Sequence, residues 1–365
     1  MPKPCRIGII GCGVIGRSHI GCYRHIPGVE VVACASSDGA SARATAAEYG
    51  IPHAYAGYQQ LLARDDLDAV DVCLHNNLHL PATLAALKAG KHVYCEKPIA
   101  GSYRDALAMV AAAREHRRML HIQLSLVFAN ETRAAQSLIA AGELGELYHA
   151  RSSGFRRRGR PYVDGHGSAA FVSRRTAGGG ALLDMGVYHL TQLLHLLGNP
   201  RVLTISGTTY QRTALDPGRA GAYDVEELAV GLVRCAGGVT IDLIEAWAMH
   251  LGGLDGSCLL GTKGGVRLSP FGFYRSLGDL DLDAQVDLGA ARFRWNQVTG
   301  DGDDLGDTHR HWIAALHGRV PLLPTAELAL TAMLISEGVY LSSARAREVT
   351  AEEVTAASVS SALPG

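Results

Sequence analysis

The stretch Arg6-Ile7-Gly8-Ile9-Ile10-Gly11-Cys12-Gly13-Val14-Ile15-Gly16 decides the fold. Residues 6–10 form a short apolar run with the length of a buried strand, and a segment of helical spacing follows Gly16. Three glycines stand between them as G-x-G-x-x-G, and each has a separate task. Gly11 permits the tight turn, Gly13 lets a backbone approach a pyrophosphate, and Gly16 lets helix and strand pack closely. The helix start adds unpaired N–H groups and the positive end of a dipole. With Val14 and Ile15 these glycines make a candidate dinucleotide cradle.

Outward from the cradle the pattern repeats. Apolar runs at Val29–Ala35, 69–74, His92–Cys95 and 119–124 alternate with helical spacing at 80–89 and 103–117. Continuous apolar strands separated by helices imply an α/β unit, a doubly wound parallel sheet of Rossmann type over residues 1–125. Beyond it the period changes. In 239–244, Val239, Ile241 and Leu243 face one way while Thr240 and Asp242 face the other, as on a half-exposed strand. Val202–Tyr210 and 227–235 read similarly, and 131–141, 307–316 and 326–344 read as helices. Residues 126–355 are therefore expected to form a second α/β domain with an open, mostly antiparallel sheet, followed by a frayed tail of about ten residues.

Composition narrows the function. A net charge of −1 offers no field for nucleic acid or an anionic membrane, and no apolar run reaches a membrane span of roughly 18 residues. The first 16 residues lack a small-residue cleavage site and read as strand and turn, not as a signal peptide. Eight cysteines without Cys-x-x-Cys pairing suggest free thiols in a reducing cytoplasm. A small molecule is the expected substrate.

The residue that meets the adenosine ribose should lie about 20 positions beyond the glycines. That position falls on Ser36 and Ser37, which carry no carboxylate to repel a 2′-phosphate. The spacing favours NADP over NAD, with Arg17 or Arg43 available as a counter-charge.

A second block is more specific. Leu74-His75-Asn76-Asn77-Leu78-His79, then Gly90-Lys91-His92-Val93-Tyr94-Cys95-Glu96-Lys97-Pro98, resembles the Gfo/Idh/MocA oxidoreductase family. The resemblance continues at Gly142-Glu143-Leu144-Gly145, at Gly178–Gly180 and at Gly261-Thr262-Lys263-Gly264-Gly265. It implies that Leu74, His75, Asn76, His79, Glu96 and Lys97 line the cofactor, and that the Lys97–Pro98 peptide is cis. It also implies that the second domain carries the substrate and mediates a homo-oligomer, dimer or tetramer. Lys97 would hydrogen-bond the reacting oxygen and lower a neighbour's pKa.

Asp184-Met185-Gly186-Val187-Tyr188-His189 resembles the family's Asp-x-Gly-x-His segment, in which some members have Tyr for His. In a regular α-helix the fourth residue shares a face with the first, and the fifth lies about 140° round. Tyr188 should therefore join Asp184 as proton donor, with Asp184 on substrate hydroxyls and His189 pointing away as the second candidate. Where the family often has an arginine after the sixth strand, residues 123–128 are largely apolar. Arg156-Arg157-Arg158-Gly159-Arg160 reads as a solvated loop or, through Arg156 and Arg158, as a fork for hydroxyls or an anion. His309 and His311 do not make an i, i+4 ligand pair, and no metal is expected.

The sequence thus reads as an NAD(P)-dependent oxidoreductase interconverting a secondary alcohol and a ketone on a sugar, cyclitol or sugar derivative. Two rivals are a glycoside-cleaving enzyme that uses bound NAD transiently and a non-catalytic dinucleotide sensor. Lys97, Asp184 and Tyr188 together speak against the sensor, which needs no proton-transfer set.

Overall fold

The apolar run ahead of the glycines is β1 (Cys5–Ile10), buried along nearly its whole length, and it turns directly into α1 (Val14–Tyr23). The computed structural model describes residues 3–165, 167–299 and 304–363. Alternation continues through β2 (Val29–Ala35), α2 (Gly39–Tyr49), β3 (His53–Tyr55), α3 (Tyr58–Leu62), β4 (Ala69–Val72), α4 (Asn76–Lys88), β5 (His92–Cys95), α5 (Tyr103–Glu115) and β6 (Leu120–Ile122). These strands pair in parallel in the order β3-β2-β1-β4-β5-β6. Strand order reverses between β1 and β4, and the crevice beyond their carboxyl ends is where such sheets take ligands. Ile7, Ile9, Val70, Val93 and Tyr94 are fully buried, which accounts for their unbroken apolar pattern.

The second unit opens with α6 (Asn130–Ala140) and β7 (Leu147–Phe155). Next come α7 (Arg174–Ala177), a π-helical turn at Leu182–Gly186, α8 (Val187–Leu196), β8 (Val202–Tyr210), β9 (Leu228–Cys235) and β10 (Thr240–Ala246). Short strands follow as β11 (Cys258–Gly261), β12 (Gly265–Leu268), β13 (Phe271–Leu277) and β14 (Leu280–Ala284). The chain then runs through α9 (Leu288–Thr299), α10 (Thr308–Leu316), α11 (Thr325–Arg345), β15 (Val349–Thr350) and α12 (Ala351–Ala357). Nine strands order as β14-β13-β12-β11-β7-β10-β9-β8-β15. Among the described residues only β10 and β7 of this sheet pair in parallel, so it is mostly antiparallel.

The division of the chain is not linear. The first unit gathers Met1–Gln123 with Asp304–Glu327 and Ser360–Gly365; the second holds Leu124–Asp303 and Leu328–Val359. The expected frayed tail is corrected in part. Ser361 donates from its backbone N–H and its hydroxyl to Asp105 Oδ2 at 2.9 and 3.1 Å, and the Leu363 N–H donates to the Asn77 carbonyl at 3.0 Å. These bonds tie the end of the chain beside α4 and α5, a non-local pairing that no local pattern announces.

The arginine run divides too. Arg156, Arg157 and Arg158 face outward, but Arg160 turns inward with its side chain 4% exposed. It donates to Asp164 and Glu227, whose side chains are 3% and 2% exposed, and to the carbonyls of Thr213 and Ala214. Burial alone would raise the Asp164 pKa; hydrogen bonds from Arg160 and Arg158 instead hold it down at about 2.

Candidate active site

In the first unit the glycine turn is built as its spacing implies. Gly11 has φ +107°, and a Cβ there would collide with the Cys73 carbonyl; a Cβ on Gly16 would collide with the Gly11 carbonyl. Above Gly13 there is open space to at least 4 Å. Gly13 is also the N-cap of α1 and offers no side chain to the helix's first N–H groups. Open space over uncapped donors is what a pyrophosphate requires, so the residues present fit a dinucleotide. Val14, 85% exposed, flanks this opening.

At the end of β2, Ser36 is half-buried and Ser37 exposed. Asp38, the nearest carboxylate, is spent on the start of α2, accepting from the N–H groups of Ala40 and Ser41 at 3.0 and 3.2 Å. Arg17 pairs with Glu48 at 3.0 Å. Leu74 and Asn76 are half-buried, and His75 is exposed as the N-cap of α4.

Lys97 follows β5, half-buried, and its peptide to Pro98 is cis. Two neighbours lock this corner. Glu96 lies 2.9 Å from His19 Nε2, and the ring nitrogens of His79 lie 2.9 Å from the Pro98 carbonyl and 3.0 Å from that of Leu74. Fully enclosed, His79 positions the turn and offers no surface to a ligand; burial pushes its pKa down against the pull of both carbonyls.

In the second unit the helix containing Asp184 departs from expectation. Residues Leu182–Gly186 form a π turn, and α8 starts only at Val187. A π turn carries more residues per turn than an α-helix, so the regular spacing does not fix which of positions 188 and 189 shares a face with Asp184. Regular helical spacing therefore does not exclude His189 as a site residue. Its ring lines a cleft of about 360 Å³, together with Glu131, Ser153, Gln192, Asp255 and Ser257. A buried carboxylate fixes that ring: His189 Nδ1 lies 3.1 and 3.0 Å from the two oxygens of Glu245, and the Ser152 hydroxyl donates to Glu245 at 2.7 Å. With Nδ1 engaged, Nε2 is the nitrogen left for other work. Only glycine at 154 leaves room, because a Cβ there would occupy the place of the His189 ring. Asp184 accepts from the Trp247 indole at 3.1 Å, and Tyr188 is half-buried beside His189.

Burial disfavours the charged form of His189, but the charge and hydrogen bond of Glu245 outweigh it and raise the pKa above that of a free imidazole. Glu245→Gln should therefore move the midpoint of the His189 ring titration to lower pH, read by NMR. An unmoved midpoint would mean that this carboxylate does not set the charge of the ring.

Comparison with known proteins agrees with the two-unit architecture. A family model for the "Oxidoreductase family, NAD-binding Rossmann fold" matches residues 5–124, and the "GFO/IDH/MocA C-terminal domain" matches 132–267. The chain belongs to the Gfo/Idh/MocA oxidoreductase family. Among relatives, it is 31% identical to a D-glucoside 3-dehydrogenase of Escherichia coli (strain K12), over 74% of this chain and 79% of that one. It is 33% identical to a 1,5-anhydro-D-fructose reductase of Ensifer adhaerens, over 66% and 69%. In fold it matches an NAD binding oxidoreductase from Klebsiella pneumoniae with a TM-score of 0.78 at 24% identity, covering 96% and 99%. Like the family, this chain is an oxidoreductase built on an NAD-binding Rossmann fold. Among the described residues no helix is long and apolar enough to cross a membrane.

Sequence reasoning missed Glu245, Ser152 and Gly154. One signal was available: the β10 alternation that buries Ile241 and Leu243 puts Glu245 next on the same buried face. A carboxylate at a core position calls for a partner.

Proposed function

We propose that the chain interconverts a secondary alcohol and a ketone on a sugar, cyclitol or sugar derivative. The observation that carries this reading is the cleft of the second unit, whose wall offers a carboxamide, three hydroxyls, two carboxylates and an imidazole, a set suited to a polyol. The names of the glucoside dehydrogenase and the anhydrofructose reductase support it.

Gly11, Gly13, Val14, Ile15, Gly16, Ser36, Ser37, Leu74, His75, Asn76 and Glu96 hold the dinucleotide or shape its site. When bound, that group supplies or accepts the hydride. Lys97 polarises the reacting oxygen and Tyr188 exchanges its proton. Asp184, oriented by Trp247, and His189, oriented by Glu245, bind neighbouring hydroxyls. Arg156 and Arg158 are outward-facing candidates for a substrate substituent. The eight free thiols suit a reducing cytoplasm. The partly exposed Tyr148 and Leu260 on the nine-stranded sheet suit a homo-oligomer.

A screen of NADH and NADPH against keto-sugars and inososes, followed at 340 nm, tests the reading. In the best pair Lys97→Ala should lower kcat by at least about tenfold while dinucleotide affinity stays within a few-fold. Unchanged turnover would remove Lys97 from the chemistry.

NADP is the proposed preference, because the end of β2 carries hydroxyls and Asp38 is held by α2. Ser36→Asp should shift the kcat/KM ratio toward NAD by at least about tenfold, since a carboxylate repels a 2′-phosphate and accepts from ribose hydroxyls. An unaltered ratio would contradict the assignment of Ser36.

A further inference from the structure

The first unit contains a polar cluster that cofactor binding does not explain. His19 on α1, Asp71 on β4 and His309 on α10 are all buried, and each offers a ligand atom within 4.8 Å of the others. Asp71 Oδ2 lies 2.9 Å from His19 Nδ1 and accepts from the Tyr23 hydroxyl at 3.0 Å. Cys73 Sγ lies 3.3 Å from His19 Nδ1 and 3.2 Å from Asp71 Oδ1. His309 is 5% exposed, and its Nε2 is buried without a hydrogen-bond partner.

As a hydrogen-bonded cluster alone this arrangement is incomplete. His19 stands between two carboxylates, Asp71 at 0% and Glu96 at 12% side-chain exposure. Even with His19 protonated, the group keeps one negative charge in an apolar surround, and the His309 nitrogen keeps no partner. A divalent cation resolves both. With neutral imidazoles, its two charges balance the two carboxylates, and His309 gains a bond.

We propose that His19, Asp71 and His309 bind a divalent metal ion of the zinc class. Imidazole nitrogen and carboxylate oxygen donors suit zinc, whose bonds to N and O are about 2.0–2.2 Å. Donors at that bond length stand about 3.4 Å apart in a tetrahedral set, so the widest spacing of the cluster, at most 4.8 Å, closes by up to about 1.4 Å. Glu96, beside His19 Nε2, takes the place of the carboxylate that commonly orients a metal-bound histidine, and Tyr23 steadies Asp71. The ion joins α10 to α1 and β4. Residues 19 and 309 are 290 apart in sequence, which hides the pair from any spacing rule.

The test is cobalt uptake by the full chain after chelator treatment and dialysis. The structure predicts one Co2+ per chain, displaced by Zn2+. Asp71→Asn and His309→Gln should each lower affinity at least about 100-fold, and Glu96→Gln about 10–100-fold. His250→Ala, an exposed control, should change nothing. Wild-type protein that takes up no stoichiometric Co2+ or Zn2+ overturns the proposal, however the variants fold. So does uptake that folded Asp71→Asn and His309→Gln proteins retain in full, which would be adventitious binding.

Discussion

Tyr188→Phe should lower kcat by about 10²–10⁴ while dinucleotide affinity stays unchanged, because the ring volume remains and only the exchangeable proton is lost. His189→Asn is the informative companion. Asparagine can still donate to Glu245, so the buried carboxylate keeps a partner and the fold is spared an unpaired charge. If His189 binds a hydroxyl, this variant raises KM more than it lowers kcat. Steady-state kinetics on the same alcohol or ketone separate the two roles. The reverse pattern, full kcat for Tyr188→Phe and collapse for His189→Asn, would move the proton to the imidazole. The widened turn at Leu182–Gly186 makes this comparison necessary, since regular helical spacing does not decide between the two side chains.

The largest effect on stability is expected at Asp164. Asp164→Ala leaves Arg160 enclosed with Glu227 as its remaining carboxylate. Breaking a buried pair from one side costs about 3–5 kcal/mol, and the retained Glu227 places this case near 3. For a unit of this size that is a fall of about 6–12 °C in its unfolding temperature. The effect depends on pH in a defined direction. The folded pKa of Asp164 is held at about 2, below the ordinary 3.8. Its stabilisation is therefore complete above the unfolded value and lost as pH falls through the folded one. Calorimetry at pH 7 should show the full difference between wild type and variant, and at pH 2–3 a much smaller one. Equal differences at both pH values would mean that the ion pair does not act through its charge.

The strand, glycine turn and helix at residues 5–23 were legible because local rules determine them: a buried run, a turn without side chains and an amphipathic start. Val29–Ala35, His92–Cys95 and Val202–Tyr210 fall where their periodicity places them. The three-residue β3 was not legible, being too short to carry a period. The π turn was hidden because its cause is distant: the Glu226 carboxylate accepts from Gly180 N–H at 2.8 Å and Leu182 N–H at 3.0 Å, fixing where the helix starts. The return of α10 to the first unit, which brings His309 to His19, is likewise a product of tertiary packing. Chemistry carried by adjacent residues could be read from the chain; chemistry that depends on a partner far along the sequence, as Glu226 is from Gly180 and His309 from His19, could not.

The central claim is that this chain moves a hydride between a nicotinamide and a ring carbon of a polyol. Deuterium transfer tests it most directly. Enzyme, NADPH or NADH carrying two deuteriums at C4, and the keto-sugar selected by the screen should give a product with one deuterium on the carbon that gains the hydroxyl, with matching loss of absorbance at 340 nm. Bound cofactor with no label transferred to any compound in the panel, or an aglycone released from a glycoside without net change at 340 nm, would contradict it.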